Sequence, residues 1–82
     1  MRYAGEPGVQ CTGIVNIGLG GIRLSLSGSE KPGSRVQLQI TVDPEEQPID
    51  ILGQVVWART APPYEAGIRF LEVDATRLRR VL

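Results

Sequence analysis

Eighty-two residues with nine basic and nine acidic side chains, no histidine and one cysteine fit a single domain and exclude several chemistries. Without histidine there is no imidazole acid–base catalysis and no histidine metal ligand, and one cysteine builds neither a thiolate zinc site nor an internal disulfide. Zero net charge argues against duplex binding, which needs an excess of Lys and Arg to displace counterions.

The chain can bury about 60% of the surface it exposes when unfolded, enough for one modest core. A sheet closed on itself uses that core economically, because closure removes exposed edges. Residues 1–8, with Gly5, Pro7 and Gly8, read as an irregular arm. The start has no apolar run, and no stretch is long enough to span a membrane, so a cytoplasmic location is expected.

Strand signals follow. Val9, Cys11 and Gly13 alternate with Gln10 and Thr12, and Ile14, Val15 and Ile17 lead into the glycines. Ile22, Leu24 and Leu26 alternate with Arg23, Ser25 and Ser27, a period of two with one apolar face. Cys11 reads as a small, buried apolar residue of this run. The stretch 28–34 is a loop by composition. Val36, Leu38, Ile40 and Val42 then face one way, opposite Arg35, Gln37, Gln39 and Thr41. After a proline-flanked acidic loop, residues 49–59 predict a long strand with Ile51, Val55 and Trp57 on one face and Gly53 marking a bulge or a bend where the sheet curls. Residues 64–73 predict the last strand, with Ala66, Ile68 and Phe70 on one face. Asp74 caps a predicted helix over 75–82, whose Leu78, Val81 and Leu82 form one apolar stripe. The expected architecture is all-β: a small six-stranded antiparallel β-barrel with a short C-terminal helix, one domain over 1–82.

Charge is unevenly spread. Residues 43–74 carry seven acids against Arg59 and Arg69, whereas Arg77, Arg79 and Arg80 lie together near the C-terminus, as on a solvated helix face. No catalytic constellation is visible. Glu45 and Glu46 are adjacent, but nothing in a proline-flanked loop desolvates them. No Walker-type phosphate loop occurs, and the Gly18–Gly21 cluster joins two strands instead of opening a helix, so the dinucleotide-binding motif is excluded too. No catalytic residue, metal or cofactor is assigned.

The most informative segment is Asn16-Ile17-Gly18-Leu19-Gly20-Gly21. Three glycines in four positions permit positive φ or a close backbone approach, and Asn16 tolerates left-handed geometry. On these residues alone, a tight bulged strand connection and a ligand site both remain open. Followed by Ile22-Arg23-Leu24, the segment resembles the Asp/Asn-x-Ser-x-x-Gly motif and apolar strand of PilZ domains. Val55-Val56-Trp57 and Gly67-Ile68-Arg69-Phe70 resemble two later strands of that family, in the right order. The resemblance covers residues 9–82 and implies the same six-stranded barrel with a terminal helix.

It also implies a bacterial cyclic di-GMP signalling domain. That ligand's two phosphates and two guanines both suit guanidinium groups. The family draws its arginines from an Arg-x-x-x-Arg motif, which is absent: Arg2 is followed four positions later by Glu6, and Gly18 replaces the motif's serine. The candidate ligand-binding residues are therefore Asn16, Gly18, Gly20, Gly21, Arg2 and Arg23. Charge-assisted bonds are worth roughly 1.5–3 kcal/mol each, so losing two implies weak cyclic di-GMP binding or none. Alternatives are a nucleotide-independent adaptor that contacts a protein partner through Leu78, Val81 and Leu82, and a small-barrel single-stranded nucleic-acid binder. The second lacks a basic groove with clustered aromatics. Neither DNA binding nor membrane insertion is expected.

Overall fold

The computed structural model describes residues 1–82. Six antiparallel strands and one helix follow in chain order: β1 (Arg2–Ala4), β2 (Cys11–Ile17), β3 (Gly21–Leu26), β4 (Arg35–Ile40), β5 (Ile49–Ala58), β6 (Glu65–Val73) and α1 (Ala75–Arg79). They form one sheet in the order β1-β4-β5-β6-β3-β2, curled into a half-barrel with β1 and β2 as its edges. The hairpins β2–β3, β4–β5 and β5–β6 are local, and the β3–β6 pairing joins the two halves of the chain. The all-β, six-stranded expectation therefore holds.

Period-two alternation builds the core. Ile22, Leu24 and Leu26 of β3, Val36 and Leu38 of β4, Ile49, Ile51 and Val55 of β5, and Ala66 and Ile68 of β6 form one buried cluster. Removing each larger side chain from water contributes roughly 1.5–3 kcal/mol. The β5–β6 register does shift beside Gly53, but the extra residue is Leu71 of β6: Leu52 pairs with Glu72 and Gly53 with Phe70, and β5 keeps its alternation through the glycine. Gly53 is buried, and a Cβ there would meet the side chain of Ile68. Cys11 is half-buried, packed on the core and free.

Four local expectations are corrected. The N-terminal arm is not irregular throughout, because Arg2–Ala4 pairs with β4 at the register Tyr3↔Leu38. Glu30, only 3% exposed in the β3–β4 loop, ties the arm down: it accepts from the Tyr3 hydroxyl and from the Glu6 N–H at 3.1 Å. The fourth strand stops at Ile40, which leaves Val42 half exposed. A second register shift, between Val55 and Trp57, sets Val56 and Trp57 both outward, so Trp57 is not a core residue. The helix ends at Arg79 instead of Leu82: the Asp74 side chain accepts from the Arg77 N–H as its cap, but the next two bonds, Arg80 N–H to Arg77 and Val81 N–H to Leu78, already tighten to i→i−3 spacing.

The Tyr3–Glu30 contact has a pH consequence. Burial first, then the hydrogen bond and the charge of Glu30, push the Tyr3 phenol well above its ordinary range. A proton held more tightly in the folded state stabilises the fold fully below the unfolded phenol's pKa, about 10, and that contribution is lost as pH rises past it. Urea unfolding at about pH 8 and about pH 11, on either side of the unfolded phenol's pKa, should show stability falling at the alkaline end. Tyr3→Phe should start less stable and lose less there.

Candidate functional site

The register of four strands places the outward-facing residues of the sheet in rows. Trp57 of β5 lies opposite Gly67 of β6, Gly67 opposite Arg23 of β3, and Arg23 opposite Asn16 of β2. The neighbouring outward row runs Gln54, Arg69, Gly21. The inward row between them, Val55, Ile68, Ile22 and Ile17, belongs to the core or packs against it. Glycine at 67 and 21 removes side chains from the middle of the outward rows. The result is a groove of about 470 Å³, walled by Trp57 on one side and the β2–β3 hairpin on the other, with Arg23 and Arg69 inside it. Its size lies within the usual range for small-ligand sites, roughly 300–1,000 Å³.

Its glycines serve different purposes. None of Gly18, Gly20 and Gly21 has a positive φ, and Asn16 is ordinary strand backbone, so the left-handed geometry anticipated for this segment is not used. Gly21 is required by close approach, because a Cβ there would stand 2.6 Å from the Ile68 carbonyl oxygen. Gly18 and Gly20 face open space. Gly67 carries the indole of Trp57, which would meet any Cβ at that position. The hairpin is closed by Gly18 N–H to Gly21 C=O at 2.9 Å and tied to β6 by Phe70 N–H to Gly20 C=O at 2.9 Å. The N–H groups of Leu19 and Gly20 donate to no acceptor within the protein.

The two arginines differ in state. Arg23 is held by Glu65: its Nε and Nη2 both reach Glu65 Oε1, at 2.7 and 2.6 Å. The guanidinium carbon also lies 5.6 Å from the Trp57 ring centroid, within cation–π range. Arg69 has no carboxylate partner and meets only Gln54 Oε1, at 3.3 Å from Nε and from Nη2. Such a groove offers what a planar, anionic ligand needs: two guanidinium forks, an aromatic face, an amide and free backbone N–H donors.

The structure thus brings together Asn16, Gly18, Gly20, Gly21 and Arg23 of the anticipated residues. It excludes Arg2, which sits on β1 at the opposite edge of the sheet and lines a separate hollow of about 1140 Å³ with Tyr3, Cys11 and Ile51. Leu78 is also excluded as a partner contact. It is fully buried against the protein's own body, because Arg77 ties the helix to the Gln47 and Pro48 carbonyls. Val81 and Leu82 remain exposed. The sequence does not assign Trp57 or Arg69 to the groove, nor Glu65 to Arg23; Arg69 stands two residues beyond Gly67 in the same motif, but only the β3–β6 register sets it against Gly21.

The PilZ domain family model matches residues 2–82. No curated protein and no solved structure matches the chain.

Proposed function

Since the chain belongs to the PilZ family, whose domains are binding and regulatory modules of cyclic di-GMP signalling, we propose that it is a weak cyclic di-GMP sensor whose outward groove takes the nucleotide without the family's Arg-x-x-x-Arg pair. The observation that supports this most is the convergence of Arg23 and Arg69, from neighbouring strands, on a glycine-floored groove beside Trp57. Two guanidiniums can meet phosphate oxygens or the O6/N7 edge of a guanine, and the indole offers the flat face that a base stacks on. The site is degenerate in two respects: Gly18 supplies no hydroxyl, and Arg23 is already paired with Glu65. No helix is long and apolar enough to cross a membrane.

A second reading, a protein-binding adaptor, is favoured by the free edge of β2, where Ile14 and Val15 are each nearly half exposed, and by Val81 and Leu82. An added strand on such an edge is a common mode of peptide recognition. Titration calorimetry with cyclic di-GMP, and in parallel with a short oligonucleotide, separates the readings. Saturable binding of cyclic di-GMP with Kd above about 1 μM is expected, and none of the oligonucleotide. Tighter binding overturns the degenerate site, absence of binding favours the adaptor, and salt-sensitive oligonucleotide binding overturns both.

A further inference from the structure

Glu65 is the one carboxylate that touches the groove's cationic machinery. Its backbone is fixed on both sides, by pairing with Ser25 of β3 and by the Arg59 N–H, which donates to its carbonyl at 2.9 Å. Its side chain is only 17% exposed, whereas that of Arg23 is 51% exposed. The pair is therefore a sheltered acid holding a solvent-facing guanidinium. Moreover, Arg23 spends its Nε–Nη2 edge on Glu65, and that edge is one of the forks with which an arginine grips a phosphate or a guanine. Arg69, a strand away, is left with a neutral amide.

We propose that Glu65 is an internal counter-anion that occupies the ligand position on Arg23, so that an anionic ligand entering the groove must displace it. The proposal rests on the cyclic di-GMP reading above and assigns a new residue to it: Glu65 sets the affinity of the site. Displacement has two costs for the ligand, the broken ion-paired bond and the repulsion of a carboxylate left beside a phosphate; making the acid a neutral amide weakens the first and removes the second. The opposite role is equally concrete. A carboxylate can hold an arginine in the geometry that a ligand needs, and neutralising it would then weaken binding.

Calorimetric titration of cyclic di-GMP into the wild-type chain, Glu65→Gln, Arg23→Ala and the double variant decides between them. Glu65→Gln should tighten binding about three- to tenfold, the range expected for removing a partly exposed ion pair together with a like charge. The gain should vanish in the Arg23→Ala background, because a competitor for Arg23 matters only while Arg23 is present. Glu65→Asp, which keeps the charge but draws it back by a methylene, should show a smaller gain. It also serves as the folded comparison if Glu65→Gln proves unstable. Binding by Glu65→Gln with none detectable in the wild type supports the proposal in its strongest form. Unchanged or weaker binding by Glu65→Gln overturns it and leaves the cyclic di-GMP reading intact. A gain that persists without Arg23 also overturns it, because it would mark a diffuse charge effect. Failure of every variant to bind overturns the proposal and the cyclic di-GMP reading together.

Discussion

Replacing Arg23 and Arg69 together by alanine should lower cyclic di-GMP affinity by about 100-fold or more, while Arg2→Ala leaves it unchanged. A charge-assisted hydrogen bond contributes roughly 1.5–3 kcal/mol, so each guanidinium lost corresponds to about a tenfold to hundredfold weakening. Both side chains are outward and exposed, and neither belongs to the core cluster, so the double variant should fold. A thermal melt checks this. Arg23→Ala alone should lose less than Arg69→Ala, because Arg23 must first leave Glu65 and its net contribution to binding is smaller. The contrast with Arg2 locates the ligand. Arg2 stands on β1, across the sheet from the β2–β3 hairpin, and lines the hollow beside Tyr3. If Arg2→Ala weakened binding as much as the pair does, the nucleotide would sit in that hollow and the groove would lose its role.

How much of this was legible in the sequence depends on what each feature rests on. Alternation is local, and it alone puts Ile22, Leu24, Leu26, Val36, Leu38 and Ile68 in the core, without knowledge of which strands pair. Gly53 stands out as a glycine inside an apolar run, but the bulge beside it belongs to Leu71 of the paired strand, which no glycine marks. Trp57 was misplaced because a further bulged residue between Val55 and Trp57 reverses the facing of everything after it. Nothing in Val-Val-Trp indicates where that extra residue falls. Arg69 and Arg23 meet only through the β3–β6 register, a non-local pairing that no spacing along the chain encodes. The arm was missed for a similar reason: Tyr3 is held by Glu30, 27 residues away in a segment whose composition says only loop. The glycine turn does line the groove, but not with the backbone geometry anticipated for it. Its glycines permit close approach and open space, not left-handed geometry.

That distinction makes the three glycines separable. Gly21→Ala should destabilise the domain by about 1–3 kcal/mol, the usual cost of forcing an extra carbon into a packed interior. Its Cβ would meet the Ile68 carbonyl oxygen at 2.6 Å and the Arg69 Cα at 3.4 Å, and both are backbone atoms of the paired strand that cannot swing aside. The relief available is to part β3 from β6, which weakens the Gly21↔Arg69 pairing and the non-local seam of the sheet. For a domain of this size, with a total stability of about 4–12 kcal/mol, that is a large fraction. Gly18→Ala and Gly20→Ala should be neutral, or stabilising by about 0.4–1 kcal/mol, because each has open space and neither has a positive φ. Urea unfolding of the three variants measures the difference directly. Equal losses at all three positions would mean that the hairpin as a whole, not one close contact, needs glycine. With the expected order, Gly21 shapes the groove by letting two strands close, and Gly18 and Gly20 are left as the positions where substitution alters the ligand's surroundings without altering the fold.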